Sequence, residues 1–400
     1  MEVKPLRQGS VQTGYKQTEV GVIPEKWDVS TIGEQSQIFG RIGFRGYTVG
    51  DIVDEGCGAI AINPSNIQGG KTVFDKCTYI TWRKYEESPE IKIDDGDIIL
   101  VKTGSTFGKT AMVKNLPIRA TLNPQVVVFK NVKGSQGFFG YMMGFPIIQN
   151  QIGAAVVGGA LPTLSQRLIA AFKFPLPPLP EQHAIATALS DVDALLDALN
   201  RDITKKRDLK QAAMQQLLTG QTRLPTFHGE WEVKRLGDIL TVRHGKSQRG
   251  ITAPDGKYPI LASGGEIGRT NAYTYDKPSV LIGRKGTIDS PQYVDSPFWT
   301  VDTLFFTEIS SEADAKFVFY KFTMIRWRSY NEASGVPSLN ARTIENIEIQ
   351  SPPLPEQIAI AAVLTDMDAE LALLTQRLAK TRALKQGMMQ ELLTGRTRLI

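Results

Sequence analysis

The sequence predicts an α+β fold in which two α/β domains are separated by two long helices that pair with each other as a coiled coil. Three observations predict it. Residues 177–224 recur without a gap as residues 352–399, and 29 of the 48 aligned pairs are identical at an offset of 175. Each copy has the apolar spacing of a long helix. Each also follows a segment of mixed pattern with short β-rich runs. The tandem repeat predicts a pseudo-two-fold arrangement.

Each helical copy has its own start and stop signals, because it begins with P-P-L-P-E-Q and ends with L-L-T-G-x-T-R-L. The last proline before the glutamate suits the first helical position, and the glutamate faces the positive end of the helix. The glycine suits a left-handed C-terminal cap. These residues are Pro180, Glu181 and Gly220 in the first copy and Pro355, Glu356 and Gly395 in the second.

Between these signals the apolar residues follow a 4-3-4-3-4 spacing, which predicts a coiled-coil seam. They are Ile185, Leu189, Val192, Leu196, Leu199 and Ile203, matched by Ile360, Leu364, Met367, Leu371, Leu374 and Leu378. Beyond them the seam is expected to drift to Leu209, Ala213 and Leu217 in the first copy and to Leu384, Met388 and Leu392 in the second. Lys210 and Lys385 lie where strict heptads would have apolar groups, so the supercoil is expected to loosen there. A helix this long needs a partner, and the other copy is the nearest candidate.

The globular parts also correspond, more weakly but in order along the chain. Residues 102–105 match residues 284–287 directly after an apolar strand, and residues 161–164 match residues 336–339. The domain boundaries predicted from these patterns are 1–176, 177–225, 226–351 and 352–400. Two modules that share a scaffold but differ in their loops are expected of a protein that reads two different targets.

Composition bounds the class of protein. The chain of 400 residues has a net charge of +5 and a pI near 9.0, which permits nucleic-acid binding. It shows neither the apolar core of a signal peptide nor a run of about 18 apolar residues, so we expect a cytoplasmic protein. Cys57 and Cys77 lack metal-ligand spacing and are expected to be reduced thiols.

Catalytic motifs are not recognised. Residues 104–110 resemble a phosphate-binding loop, but three residues separate the two glycines where Walker A requires four. His183, His228 and His244 are isolated from other potential ligands, so no metal site is expected. Neither a [DN]-P-P-[YF] tetrapeptide nor a G-x-G-x-x-G fingerprint is present. We therefore expect a non-catalytic chain that holds no cofactor of its own.

Several polar residues could hold double-stranded DNA. Two Arg- and Gly-rich loops occupy matching positions, residues 39–47 and 242–250, and further candidates lie on turns after strands. Arginine can bond phosphate or guanine bidentately, lysine suits phosphates, and Asn or Gln can read adenine. The candidates are Arg41, Arg45, Tyr47, Asn63, Asn66, Lys102, Ser105, Lys109 and Gln125, then Arg243, Lys246, Arg249, Arg284, Lys285 and Thr287. The alternatives are solvated basic loops, structural turns and local capping by asparagine.

These residues resemble the specificity subunit of type I restriction-modification enzymes, over essentially the whole chain. The two helices with their start and stop signals carry the resemblance most strongly. The opening Y-K-Q-T-E-V-G-V-I-P-E-K-W at residues 15–27 and the strand and turn at residues 96–108 support it. The resemblance implies two target recognition domains, residues 1–176 and 226–351, joined by two conserved helical regions, residues 177–225 and 352–400. It also implies that the two helices pair as an antiparallel coiled coil.

The resemblance also implies partners. Two modification subunits would be recruited by the helices, and restriction (motor) subunits would join them. The complex would read a bipartite, asymmetric DNA site with a nonspecific spacer, methylate adenine, and cleave DNA in an ATP-dependent reaction. S-adenosylmethionine would be bound by the modification subunits, and ATP and Mg²⁺ by the motor subunits.

Two other classes of protein compete with a DNA-reading subunit. A self-sufficient methyltransferase or nuclease would need motifs that this chain lacks. A pure coiled-coil scaffold would not need two loop-rich modules. The DNA-reading subunit is favoured because it accounts for the repeat, the divergent modules and the basic loops together.

Overall fold

The computed structural model describes residues 13–41, 46–155 and 163–399. The chain folds into two compact units, one formed by Met1–Ala198 with Leu378–Ile400 and the other by Leu199–Arg377. Each unit therefore contains one α/β domain together with parts of both long helices. The units meet inside the long helices, at residues 198/199 and 377/378. The domain boundaries predicted from the sequence lie instead near the ends of these helices.

The first unit contains two main sheets and a set of short helices. Its strands are β1 (Tyr15–Thr18), β2 (Gly21–Pro24), β3 (Asp28–Thr31), β4 (Gln37–Gly40), β5 (Ile52–Val53), β6 (Ala59–Ile62), β7 (Ile67–Gln68), β8 (Lys71–Thr72), β9 (Thr78–Ile80), β10 (Ile98–Val101), β11 (Thr110–Met112), β12 (Ala120–Leu122), β13 (Val126–Lys130) and β14 (Lys173–Leu176). Its helices are α1 (Ile32–Gln35), α2 (Trp82–Glu86), α3 (Gln136–Met143), α4 (Pro146–Ala154), α5 (Gln166–Ala170) and the beginning of α6 (Leu179–Leu218). Short 3-10 helices cover Val49–Asp51, Pro64–Asn66 and Pro89–Ile91.

The second unit repeats this plan with fewer strands. Its strands are β15 (Glu232–Arg235), β16 (Leu240–His244), β17 (Tyr258–Ala262), β18 (Gly265–Thr270), β19 (Ser279–Gly283), β20 (Gln292–Val294), β21 (Trp299–Thr300), β22 (Leu304–Ile309) and β23 (Glu348–Ser351). Its helices are α7 (Leu236–Ile239), α8 (Ala315–Met324), α9 (Ala341–Glu345) and the beginning of α10 (Leu354–Leu392), with a 3-10 helix at Trp327–Tyr330.

The two units share one sheet topology. The strand order β4-β13-β10-β11 of the first unit corresponds to β16-β22-β19-β20 of the second, and all of these neighbours are antiparallel. The parallel pair β6-β12 corresponds to β17-β21. In the first unit, the hairpin of β7 and β8 extends the main sheet beyond β11. The repeat predicted for the globular parts is therefore present in the fold.

The core of the first unit has a layer on each face of the main sheet. Along β10, Ile98 and Leu100 pack with the helices, whereas Ile99 and Val101 pack with the other sheet. A strand that is buried on both faces reads as a continuous apolar run, which explains the sequence I-I-L-V. The helical layer includes Ile185 and the last turns of α10, so the long helices are part of the domain core.

Contacts inside the units show that the long helices pair antiparallel. In the first unit, Ile185 and Leu189 at the start of α6 pack with Leu392 and Leu393 at the end of α10. In the second unit, the last turn of α6 packs with the first turns of α10, around Leu364. This confirms the antiparallel pairing that the resemblance implies, and most of the predicted seam residues are buried.

The predicted continuation of the seam is wrong at one pair of positions. Leu209 is 47% exposed and Leu384 is 58% exposed, so neither leucine lies between the helices. The neighbouring lysines take that place instead. Lys210 Nζ lies 2.5 Å from Asp368 Oδ1, and Lys385 Nζ lies 2.7 Å from Asp193 Oδ1. The register is kept because each lysine has a carboxylate partner on the opposite helix.

A clasp of tryptophan, glutamate and arginine ties each domain to both helices. In the first unit, Trp27 Nε1 donates to Glu181 Oε2 at 2.9 Å, and the Arg398 guanidinium binds the same carboxylate, with Nη2 to Oε2 at 2.6 Å. The second unit repeats the clasp with Trp231, Glu356 and Arg223. Both glutamates are buried. Each carboxylate binds the tryptophan and the arginine of its clasp, and each glutamate also lies in the first turn of its helix.

Candidate nucleic-acid interface

Strand register gathers the predicted contact residues of the first unit at one edge of the main sheet. Gly40 lies opposite Val127, and Val101 lies opposite Val126. The ends of β4 and β10 therefore meet the beginning of β13 at this edge. β6 and β12 run parallel and end beside the same turn, since the Asn123 amide donates to the Ile62 carbonyl. We call the residues that follow β4, β6, β10 and β12 the first edge.

A hydrogen-bonded polar cluster forms part of the first edge. Asn123 Nδ2 donates to Asn63 Oδ1 at 2.7 Å and to the Tyr47 hydroxyl at 2.8 Å. Asn63 Nδ2 in turn donates to Thr78 Oγ1 at 2.9 Å, and Asn123 Oδ1 accepts the Gln125 amide. Sequence reasoning missed Asn123 as a site residue, because an Asn-Pro pair looks like an ordinary turn. The cluster holds half-buried Tyr47 and Asn63 in fixed positions.

Lys102 lies on the same edge without a counter-ion. Its amide donates to the Gln125 carbonyl at 2.8 Å, which fixes the turn after β10 against the turn before β13. The side chain is half-buried, and burial lowers the pKa of its ammonium group. No carboxylate of the described residues pairs with Lys102. A partly desolvated cation is stabilised by an acceptor from outside the protein, such as a phosphate or a base edge.

The remaining candidates of the first unit differ in exposure. Ser105 and Lys109 are exposed on the turn after β10. Arg41 is buried, and its guanidinium donates to the Leu122 carbonyl and to Thr121 Oγ1, both at 3.0 Å. Asn66 is buried too, and its Nδ2 donates to the carbonyls of the following loop. These two side chains brace the edge from within, because their donors are used by the protein. Arg45 lies outside the described residues.

Matching backbone hydrogen bonds define a second edge, formed by the residues that follow β16, β17, β19 and β21. The Arg284 amide donates to the Thr303 carbonyl at 2.9 Å, as the Lys102 amide does to Gln125. The Leu339 amide donates to the Arg284 carbonyl at 3.0 Å, as the Leu164 amide does to Lys102 at 2.8 Å. Gly104 and Gly286, two residues farther on, both have a positive φ, +101° and +84°. The correspondence of residues 102–105 with 284–287 is thus confirmed at atomic level.

The glycines of the second edge allow backbones of the protein to approach one another. A Cβ atom on Gly245 would lie 2.0 Å from the Val301 carbonyl oxygen. On Gly283 it would lie 1.9 Å from the Thr287 carbonyl oxygen. The Lys246 amide then donates to Thr300, and the Trp299 ring nitrogen donates to the Lys246 carbonyl at 3.0 Å. These two hydrogen bonds hold the Arg- and Gly-rich loop, residues 242–250, on the second edge.

Side chains of the second edge are more exposed and more basic than those of the first. Lys246, Arg249, Lys285 and Thr287 are exposed. Arg284 is half-buried, and its Nη1 donates to the Asp302 carbonyl at 3.2 Å. Arg243 is exposed but paired with Glu308 at 2.8 Å, and this carboxylate raises the pKa of the guanidinium. The second edge therefore presents several exposed positive charges, whereas Arg243, within the adjoining strand β16, is partly neutralised.

The described residues contain no group of three or more His, Cys, Asp or Glu side chains placed to hold a metal ion. The turn after β10 leads into β11 and not into a helix, so the phosphate-binding loop reading of residues 104–110 does not fit the structure. In residues 13–41, 46–155 and 163–399, every helix is too short or too polar to span a bilayer.

Comparison with known proteins adds an independent finding. A family model, the type I restriction modification DNA specificity domain, matches residues 24–207 and 228–381. The chain belongs to this family. Its role is DNA target recognition, as the non-catalytic specificity subunit of a type I restriction-modification system. The two matched segments cover both α/β domains and most of both long helices.

Similar proteins include the MjaX specificity subunit assigned to a type I restriction enzyme of Methanocaldococcus jannaschii, with 24% identity covering 97% of each chain. The EcoDI specificity subunit of Escherichia coli is 20% identical and covers 41% of this chain and 37% of its own. Among solved structures, the type I S subunit of M. genitalium superposes with a TM-score of 0.63 at 18% identity, covering 92% and 96% of the two chains. At this identity the likeness shows the fold.

Proposed function

We propose that the two α/β domains, residues 1–176 and 226–351, are target recognition domains that each read one half of a bipartite, asymmetric DNA site. The observation that carries this proposal is the pair of equivalent edges, one in each unit, with different side chains at matching positions. Lys102 and Gln125 of the first edge correspond to Arg284 and Thr303 of the second. One scaffold with two sets of side chains favours two different half-sites, with a nonspecific spacer between them.

Exposed cations on the edges are assigned to phosphate contacts, and the half-buried polar groups to base reading. Lys109 and Lys285 represent the first group, because their ammonium groups are exposed on turns next to each edge. Lys102, Asn63 and Gln125 represent the second, since their positions are fixed by neighbours and can match a base edge.

The test uses the chain in complex with its modification subunits and a duplex whose sequence is first found by methylome sequencing. Lys109→Ala and Lys285→Ala should each weaken binding, and each should reduce the log-log salt slope by about 0.9 for every phosphate that the variant no longer neutralises. The matched controls are Lys133→Ala and Lys277→Ala. These exposed lysines lie beyond the opposite ends of β13 and β19, away from the edges. Equal effects of edge and control variants would exclude the edges as the DNA interface.

We also propose where the two modification subunits bind. Within residues 205–211, four exposed residues of α6 recur unchanged on α10, where they are exposed too. They are Lys205, Arg207, Leu209 and Gln211, which correspond to Lys380, Arg382, Leu384 and Gln386. Exposed neighbours such as Arg201 and Asp208 differ in the second copy, where Gln376 and Ala383 stand. Packing does not require these four residues to be the same in both copies. Their identity therefore indicates that both patches bind the same partner.

Each unit carries one of these patches, residues 205–211 in one and residues 380–386 in the other. Lys205 and Leu209 lie four residues apart on one face of α6, as Lys380 and Leu384 do on α10. An exposed leucine beside a lysine fits an apolar pocket with an acidic rim. Two equivalent patches match two copies of one modification subunit. S-adenosylmethionine is assigned to those subunits, where it would supply the methyl group for adenine. ATP and Mg²⁺ are assigned to restriction subunits that would join the complex.

Subunit counting tests the docking patches. Leu209→Ser and Leu384→Ser should each leave one modification subunit bound, and the double variant should leave none, as measured by native mass spectrometry. Leu373→Ser is the control, because Leu373 is 66% exposed on α10 but corresponds to Ala198 in the first copy. A double variant that still binds two modification subunits, or a control with the same loss, would contradict the assignment.

A further inference from the structure

A short, braced loop stands beside the second edge. Asn331 closes it, because its Oδ1 accepts the amides of Ala333 at 3.2 Å and Ser338 at 2.9 Å, while its Nδ2 donates to the Ala333 carbonyl. The Glu332 amide also donates to the Ser338 carbonyl at 3.1 Å. The loop therefore has its conformation fixed by its own side chain and backbone, with Val336 near its middle.

The same loop is joined to the basic turn after β19. The Gly286 amide donates to the Pro337 carbonyl at 2.9 Å, and Lys285 forms a β-bridge with Ser338. Val336 precedes this proline and is 66% exposed. A large part of an apolar side chain is thus held in solvent next to exposed Lys285.

The repeat keeps an apolar residue at this position. Leu161-Pro162 of the first copy corresponds to Val336-Pro337 of the second, and Leu161 itself lies outside the described residues. An apolar residue thus recurs at this position, and in the second unit the position is exposed beside the second edge, where a bound molecule would cover it. The position beside the second edge indicates which molecule this is.

We infer that Val336 contacts a base edge in the second half-site and selects thymine through its C5-methyl group. The inference rests on the proposed function, because it takes the second edge to be the DNA interface. Apolar side chains read the major groove through this methyl group, which distinguishes thymine from cytosine. Lys285, on the adjoining turn, would hold the neighbouring phosphate and so keep the loop at groove depth.

Deoxyuridine tests the contact, because it differs from thymidine only by the C5-methyl group. An adenine-methylating system has at least one thymine in each half-site. The wild-type complex should bind roughly three- to fivefold more weakly when one thymine of the second half-site is replaced by uracil. Val336→Ala should bind the thymine duplex more weakly by a similar factor, and it should bind the thymine and uracil duplexes equally at that position.

Two variants serve as controls. Val336→Leu keeps an apolar contact and should keep the preference for thymine. Val233→Ala should behave as wild type, because Val233 is 65% exposed on β15, outside the second edge. If Val336→Ala leaves affinity unchanged, or stays as sensitive to uracil as wild type, the inference is overturned. If Lys285→Ala still weakens DNA binding in that case, the second edge remains the DNA interface and only the role of Val336 is wrong. If Lys285→Ala binds DNA as tightly as wild type, the second edge is not the DNA interface.

Discussion

Lys321 is a half-buried cation of the second unit, and a methionine stands at the equivalent position of the first unit. Its Nζ donates to the Leu218 carbonyl at 2.9 Å, and it lies 6.0 Å from the Trp231 ring centre. Met142 occupies the equivalent position on α3, one residue after the tyrosine that contacts the long helix. Burial lowers the pKa of Lys321 from 10.5 to about 8. The ammonium is capped by the end of α6 but is stripped of most of its hydration.

Stability should therefore depend on pH through Lys321. Between pH 8 and pH 10.5 the unfolded chain still binds this proton while the folded chain has released it, so this group makes the protein more stable as pH rises. Between pH 8 and pH 10.5, the free energy of unfolding of the wild type should rise by up to about 3 kcal/mol more than that of Lys321→Met. Urea denaturation of both proteins at about pH 7.5 and about pH 10 measures the difference. Parallel pH profiles would show that Lys321 is hydrated.

Single residues also show what the sequence could not decide. Arg41 and Lys285 look equally suited to DNA in the sequence. In the structure Arg41 is buried and its guanidinium donates to a carbonyl and a hydroxyl of the protein, whereas Lys285 is exposed. Gly245 lies in one of the two Arg- and Gly-rich loops, and the structure shows that it makes room for the Val301 carbonyl. Residue type and spacing indicate chemistry, whereas exposure depends on strands that are distant in the chain.

At the scale of elements, the helix pair was predictable because its spacing is local and repeated. Most of the predicted seam residues are buried, and the contacts at the two ends of the helices show the antiparallel direction. The polar contacts that fix the register depend on pairs of residues far apart in sequence. Asp193 accepts a hydrogen bond from the Tyr141 hydroxyl at 2.7 Å as well as the Lys385 ammonium, and Tyr320, Asp368 and Lys210 repeat this arrangement.

Exchanging the charges of one pair tests whether it sets the register. Asp193→Lys should destabilise the protein because it places two cations together in the seam, and Lys385→Asp should do so with two carboxylates. The double variant should recover a coupling energy of about 1 to 2 kcal/mol, less than a fully buried pair because both side chains keep some solvent. Urea denaturation of the four proteins gives this value. Additive losses would mean that the two groups do not interact.

At the scale of the molecule, each domain is completed by a segment from the other copy of the helix. In the first unit, Leu392, Leu393 and Arg398 cover Ile185, Trp27 and Glu181. Residues 217, 218 and 223 of the first copy are the same three amino acids. A fragment of residues 1–225 therefore contains both a domain and the segment that could complete a second copy of it. The sequence repeat predicted this possibility, but only the structure identifies the completing residues.

The fragment of residues 1–225 should form a two-fold dimer that reads an interrupted palindrome made of the first half-site. In that dimer Arg223 takes the place of Arg398, so Arg223→Ala should weaken dimerisation, measured by sedimentation at micromolar concentrations. One difference limits the dimer, since Met388 packs on the core of the first unit where the fragment has Ala213. Ala213→Met should therefore tighten the dimer severalfold by filling that space. A monomeric fragment in all three forms would show that the second copy is required for more than its repeated residues.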